Sequence, residues 1–524
     1  MGRLRIFAAA AALALTCGCG DGGGGSGPVG GTPAPTIATL PVTLSASSTN
    51  VTIDEGQSAT FGFAATYSGS STSPVVASVQ VDSRRYVLDG TPTANGNSFN
   101  VSLKTVPLPP GGATASTVTF RLCTDASCTT VYPGSTQTFT VNLDVRLKDW
   151  ATFQRDAAHT GYVAVNYTSA DFASAWTLPA TAPSEIAARR GSIFVNFRQT
   201  GGDLVTRALD PANGNARWTY DLGTNNYSSG PSYVNGRVAS MAMNLSSGTL
   251  PMPIISADAG TAVGVISYAS QFSNGGVPTP VGDNLYFQAG YYGDVVYAAN
   301  AATANPIWTR DTTQPGEGYV QEGASVAADQ NYVYFFGGGN LFALARDTGA
   351  IAYKIRNPYF TEFGLSYFGS YRGAPILGSN GRIFTFSDNR VATTPLPLLA
   401  FSLSSAAPLW RTSATYVGHP ALRDETLFAI RANSAIVDLI NTADGTVRGS
   451  IDLGSANAPL VSNVIVTGSH LFVASDTTTY AVDLQQPNFP VVWSAPKGGA
   501  LAITPDNLLT VSARDGLFAY RLAS

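Results

Sequence analysis

The sequence predicts an all-β chain, a β-propeller of eight blades with seven as the alternative, standing behind a smaller β-sandwich. Three observations predict it. The pattern Ala-x-Asp-x-x-x-Gly-x-x-x-Trp is intact at Ala208, Asp210, Gly214 and Trp218 and returns as Ala298/Asn300/Trp308, Ala343/Gly349/Tyr353, Ala400/Trp410 and, two residues longer, Ala481/Asp483/Trp493. A period of roughly 45 residues filled with strand-like runs belongs to a propeller array and not to a single-core domain. Polar turns that run into apolar strands form the second signal, about eight of them by hairpin chemistry. They fall at Arg190-Gly191, Asn235-Gly236, Gly282-Asp283-Asn284, Asp329-Gln330, Asn380-Gly381, Asp424-Glu425, Gly468-Ser469 and Asp506-Asn507. The third signal is at the ends of the array. Leu517 to Leu522 reads as a third strand with no Trp strand after it, whereas Ala175-Trp176-Thr177 precedes the first full unit. The early strand is expected to complete the last blade and remove an exposed edge.

From the N-terminus, Arg3 and Arg5 precede an apolar run from Ile6 to Leu15, too short to span a bilayer and suited to a signal peptide over 1–19. Small residues lead into Cys17-Gly18-Cys19, which resembles a bacterial lipobox with Cys19 as the lipidated residue and Cys17 as the alternative. Residues 20–40, with Gly20 to Gly31 and Pro28, Pro33 and Pro35, read as a flexible tether. The expected address is the bacterial cell envelope, at the outer membrane, with attachment through the lipid alone. Charged residues make up 12% of the chain, against 54 Gly and 31 Pro, which suits extracytoplasmic β-structure. The formal charge of −4 becomes −6 once Arg3 and Arg5 are removed, so nucleic acid is not an expected partner.

Residues 41–147 read as a separate sandwich, with alternating runs at Val42 to Leu44, Ala59 to Tyr67, Val75 to Val81, Phe99 to Leu103, Thr117 to Leu122 and Thr138 to Val145. Cys123 and Cys128 bracket Thr-Asp-Ala-Ser in an oxidising compartment, so a disulfide worth roughly 2 kcal/mol is expected there and a metal is not. Arg121-Leu-Cys-Thr-Asp, Cys128 and Tyr132-Pro-Gly134 look like the immunoglobulin-like modules of bacterial surface proteins.

Residues 149–524 form the array. Trp176, Trp218, Trp308, Trp410 and Trp493 take blade-edge positions, each ring packing on the Ala-Gly segment of the next blade and its indole N–H needing a turn carbonyl. Units near Ile254-Gly260-Gly264 and Leu439-Asn441-Gly445-Gly449 keep the turn glycine without the Trp and read as degraded blades. Asp149-Trp150, Phe153 and Asp156-Ala-Ala-His-Thr-Gly-Tyr162, followed by these repeats, resemble the pyrroloquinoline-quinone-like propeller repeat family. That family includes quinoprotein alcohol dehydrogenases and a non-enzymatic lipoprotein of the outer-membrane β-barrel assembly machinery, so the resemblance implies fold more than function.

The resemblance raises a quinone and Ca²⁺ as cofactors, and the residues do not support either. Such dehydrogenases hold the quinone between a Trp floor and an adjacent-Cys disulfide. Here the array has no Cys, and its Trp residues are assigned to blade edges, with Trp150 in the lead-in segment. The His residues, His159, His419 and His470, lie far apart in sequence, and His159 is expected to brace the first blade. No nucleophile elbow, zinc helix or phosphate loop is present, so no catalytic residue is assigned. The candidate binding surface is the aromatic connection with Arg356, Tyr359, Phe360, Glu362, Tyr367, Phe368 and Arg372, joined by Tyr319 and Glu322 from a neighbouring loop. Aromatic and Arg side chains of this kind make interface hot spots. The expected function is a non-catalytic envelope scaffold for a protein or polysaccharide, the alternative an envelope enzyme with a site in the channel.

Overall fold

The computed structural model describes residues 37–225, 227–243, 248–271, 276–291, 295–312, 325–337, 339–360, 374–387 and 395–523. Its first unit is a sandwich of two sheets. One joins Val42–Leu44, Thr60–Tyr67, Ser98–Thr105 and Tyr86–Leu88, with Thr93–Asn95 also on Ser98–Thr105. The other joins Ser48–Asp54, Gln137–Arg146, Gly112–Cys123 and Val76–Gln80, the first pair parallel. Phe63 lies between them, stacked on Phe139 at 4.6 Å and edge-on to Phe120 at 6.2 Å. Ser48–Asp54 was not foreseen because only Val51 and Ile53 of its seven residues are buried. Cys123 and Cys128 form a disulfide.

Most of the remaining strands fall, among the described residues, into eight groups of four antiparallel strands, called sheets and numbered here in chain order; Ala262–Gln271 of the second also pairs in parallel with Asn284–Tyr291 of the third, Tyr162–Val163 adds a parallel strand to the seventh, and Tyr227–Ser228 pairs with Ala242–Met243 apart from them. Sheet 1 is Ile186–Arg189, Ser192–Arg198, Leu204–Leu209 and Ala216–Gly223. Sheet 2 is Ser232–Val234, Arg237–Ala239, Gly248–Ser256 and Ala262–Gln271. Sheet 3 begins at Thr279–Val281, sheet 4 at Ala327–Ala328, sheet 5 at Ile376–Leu377, sheet 6 at Tyr416–Arg423 and sheet 7 at Ile465–Thr467. In sheet 8 the strands Ala500–Ile503, Leu508–Ala513 and Gly516–Arg521 are completed by Ala173–Pro179, whose register sets Trp176 opposite Ala519. The early strand therefore closes the last sheet.

Neighbouring sheets meet through their inner strands and through the outer-strand tryptophans, and the arrangement is a β-propeller. The indole N–H of Trp218 in sheet 1 donates to Ala257 O of sheet 2 at 3.0 Å. Trp308 donates to Arg346 O at 2.7 Å, Trp410 to Thr442 O at 2.9 Å and Trp176, from sheet 8, to Pro211 O of sheet 1 at 2.7 Å. Under each of these rings is a turn glycine with positive φ, namely Gly260, Gly349, Gly445 and Gly214, where an added Cβ would meet the indole at 2.4 to 2.7 Å. In the turn of sheet 3 the residue carries a Cβ and the facing position has no ring: Ala304, at φ 56°, faces Gly264. Trp493 follows a different rule. In sheet 8 the fourth strand is Ala173–Pro179 from the other end of the array, and Trp493 packs edge-on to Tyr520 at 5.1 Å and Phe172 at 5.9 Å.

The sandwich is seated on the face carrying the first hairpin turns of sheets 7, 8 and 1. Arg190 makes a bidentate pair with Asp144 at 2.8 and 3.0 Å, and Asp506 accepts the Gly191 N–H. One apolar core runs from Phe63 and Phe139 through Leu147, Trp150 and Tyr167 into Leu509 and Val511, so sandwich and ring are not separated by solvent.

Candidate functional site

A propeller's inner strands are edge strands, and their outward N–H and C=O groups need partners at the axis. Residues Trp150 to Val163 supply them in a single circuit. Trp150 O accepts from Ala188 of sheet 1, Ala151 O from Tyr233 of sheet 2, Ala157 O from Ala328 of sheet 4 and Ala158 O from Leu377 of sheet 5. Thr160 O then accepts from Leu422 of sheet 6 and Gly161 O from Val466 of sheet 7, all six bonds being 2.7 to 2.9 Å. Sheet 3 has Pro280 at the matching position, with no N–H, and there the bond is reversed: the Thr152 hydroxyl donates to Pro278 O at 2.8 Å. In sheet 8 the Asn463 amide takes the part of a strand, accepting from Leu501 N and donating to Leu501 O. Two residues before the bonded N–H of sheets 2, 5 and 6 stand Pro231, Pro375 and Pro420, and Pro278 holds the same place in sheet 3, so none of these four positions has an N–H to offer the axis.

The circuit demands unusual backbone. Gln154 and Arg155 are left-handed at φ 51° and 83°, His159 at 57° and Gly161 at 60°. At Gly161 a Cβ would also meet Gln154 Nε2 at 2.8 Å and Val464 O at 2.9 Å, so only glycine fits. Gln154 bridges sheets 6 and 7 through Pro420 O and Val464 O, and its own oxygen accepts from Asn463. Arg155 donates to Tyr162 O and forms a buried pair with Glu55 of the sandwich at 2.5 Å.

On the circuit's far side from the sandwich is a narrow cavity of about 280 Å³ counting its open mouth, lined by Trp150, Phe153, Gln154, Glu185, Asn463 and Ser512 among others. Glu185 stands at the top of the inner strand of sheet 1, beside Gly230 and Val277 of the next two sheets. Burial alone pushes its carboxyl up to about 7. Under Phe153 lie His159 and His419, their rings 6.4 Å apart and 5.6 and 4.7 Å from the Phe153 ring. Burial lowers His159 to about 4, and burial together with His159 lowers His419 to about 3, so both are neutral at pH 7. His159 is held by Pro375 O of sheet 5 and braces that sheet, not the first blade as expected. Its pairing with His419, 260 residues away, has no signature in the sequence.

The predicted aromatic surface is described only in part. Tyr319, Glu322, Glu362, Tyr367, Phe368 and Arg372 lie outside the described residues. Arg356, Tyr359 and Phe360 lie at the end of the outer strand of sheet 4, on the face opposite the sandwich. Arg356 is over the Phe360 ring at 5.5 Å, and Arg411 of sheet 5 is over the half-exposed Tyr359 ring at 4.8 Å. Buried Asn357 ties this shelf down, donating to Ser387 O of sheet 5 at 2.5 Å and accepting from Tyr359 N at 2.9 Å.

Among known families, the model described as outer membrane protein assembly factor BamB matches residues 200–450, a little under half of the chain. Over that span the repeats are similar to those of that family. No curated protein matches. Solved structures that are similar include quinohemoprotein alcohol dehydrogenase from Comamonas testosteroni, at 12% identity and TM-score 0.48, covering 72% of this chain and 81% of that one. Quinohemoprotein alcohol dehydrogenase ADHIIG from Pseudomonas putida HK5 gives 13% and 0.49 with 72% and 80% coverage, and Kluyvelomyces marxianus Hsv2 gives 13% and 0.33 with 52% and 87%. None reaches a TM-score of 0.5, and none bears on activity here. A quinone does not fit this axis: Trp150 is held in the circuit and 2% exposed, both Cys described are in the sandwich disulfide, and the floor of the cavity is the chain itself.

Proposed function

We propose that this chain is a lipid-anchored, non-catalytic scaffold of the bacterial cell envelope that binds a protein or polysaccharide on the propeller face opposite the sandwich. In this reading the eight sheets are eight blades, Cys19 carries the lipid at the outer membrane, residues 20–40 are the tether and the immunoglobulin-like sandwich is a spacer. The observation that carries it is the asymmetry of the two faces. One is covered at sheets 7, 8 and 1 by the sandwich, and the axis behind it is filled from Trp150 to Val163. The other presents Tyr359 and Arg411 on a shelf fixed across two sheets. The family match to an envelope assembly factor supports the same reading.

A photoreactive residue at Tyr359 in intact cells tests it, with mass spectrometry of what is captured. One dominant envelope protein or glycan adduct is expected, weakened by Arg411→Ala; absence of any adduct at Tyr359 and at Tyr367 would overturn the scaffold role. Cys19→Ala is expected to abolish fatty-acid labelling and release the protein from membranes. Labelling that persists moves the anchor to Cys17.

A further inference from the structure

The axial cavity contains one charged group that the fold does not use. Its two amides are engaged: Gln154 with Pro420, Val464 and Asn463, and Asn463 with Leu501. The Ser512 hydroxyl and the Glu185 carboxyl have no side-chain hydrogen bond or ion pair among the described residues. Glu185 as a residue is half-buried and lines the cavity. We propose that this cavity binds a primary ammonium group, as carried by a lysine side chain or a small free amine, with Glu185 as its counter-ion and the Ser512 hydroxyl as a hydrogen-bond acceptor.

Three features select that chemistry. A buried carboxylate without a counter-charge is costly unless a proton or a cation joins it, and an anion is repelled. Trp150 and Phe153 line the same space, and aromatic walls favour cations over neutral ligands. Finally, the cavity as a whole encloses room for about one water-sized group, which admits an ammonium head, its carbon chain left outside, and excludes a guanidinium, a trimethylammonium or a sugar ring. No other titratable side chain lines the cavity. His159 and His419, the nearest beneath it, lie behind Phe153 and are neutral at the pH values used below except near the acid end.

Binding should follow deprotonation of Glu185, because the ammonium replaces the proton. Calorimetry on the full chain with butylammonium and with a lysine-containing tripeptide tests this. Saturable one-site binding is expected at pH 8.5, weakening about tenfold for each pH unit below the carboxyl's midpoint, and lost in Glu185→Gln. Tetramethylammonium is expected not to bind. If both amines bind, the source is a lysine on a macromolecule; if butylammonium alone binds, it is a small amine, and either result supports the site. Should Glu185→Gln fail to fold, the wild-type Glu185 carboxyl is followed by carbon NMR, where butylammonium must lower its titration midpoint. No saturable binding at pH 8.5, equal binding by Glu185→Gln, or an unmoved midpoint would overturn the proposal. It stands apart from the scaffold reading, since crosslinking at Tyr359 does not depend on the axis.

Discussion

The Trp and Gly pairs between sheets are matched residue by residue. A ring stands where the next turn has glycine, and glycine stands where the next turn has Ala304. Gly260→Ala would combine a φ of +69° with a Cβ 2.4 Å from Trp218, and it is expected to cost about 1–3 kcal/mol by overpacking. Ala304→Gly should leave stability unchanged or slightly raised, because it relieves a left-handed alanine. Equal losses from the two in chemical denaturation would contradict the size matching. Trp176→Ala and Trp308→Ala, both buried, are expected to cost about 3–5 kcal/mol. Trp493→Ala should cost less, since its indole N–H has no protein partner among the described residues. The repeat residues were legible in the sequence because packing and turn chemistry act through side-chain type and spacing. Glu185 was not legible, being a single carboxylate in Pro183-Ser184-Glu185 that reads as an ordinary polar turn.

At the scale of the element, the axial circuit combines left-handed backbone at Gln154, Arg155 and His159 with a charge pair buried on both sides. Its Arg155 pairs with Glu55 at side-chain exposures of 4% and 3%, so removing one partner leaves a buried charge uncompensated. Glu55→Gln is expected to cost about 3–5 kcal/mol, and Arg155→Met added to it should recover part of that loss in a double-mutant cycle. Strict additivity would show that the pair does not couple. The His pair sets a pH dependence. Each His is depressed below its ordinary 6.5, so the unfolded chain binds protons that the folded chain refuses. The stability this represents is fully present above about pH 6.5 and is lost as pH falls toward 4 and then 3, on the order of 3 kcal/mol for His159 alone. Glu185, raised from 4.5 to about 7, acts oppositely between those values but with one proton against two. The urea midpoint should therefore fall from pH 7 to pH 4, and the fall should flatten in a His159→Asn/His419→Asn variant; an unchanged slope would place the acid sensitivity elsewhere. The sequence marked this segment as a motif without disclosing its place, because its bonds to the sheets come mostly from backbone carbonyls, which every residue type possesses.

Across the whole molecule, the shared core between sandwich and ring makes one folding unit of what reads as two in the sequence. A single calorimetric transition is expected for the mature chain, and two well-separated transitions would contradict it. The sequence could divide the chain because strand patterns are local, but it could not show the seam, which rests on contacts such as Glu55 with Arg155 and Asp144 with Arg190. The closing strand Ala173–Pro179 has a temporal consequence. A chain emerging from its N-terminus presents the axial segment before any of the strands that will bond to it, so the hub exists while the rim is still being made. The clasp, in contrast, waits with Trp176 until Gly516–Arg521 arrives, the last of the described strands. A chain interrupted before Gly516 would hold nearly every sheet and still be an open ring, with an unpaired edge on Leu508–Ala513 and another on Ala173–Pro179 for proteases and other chains to find.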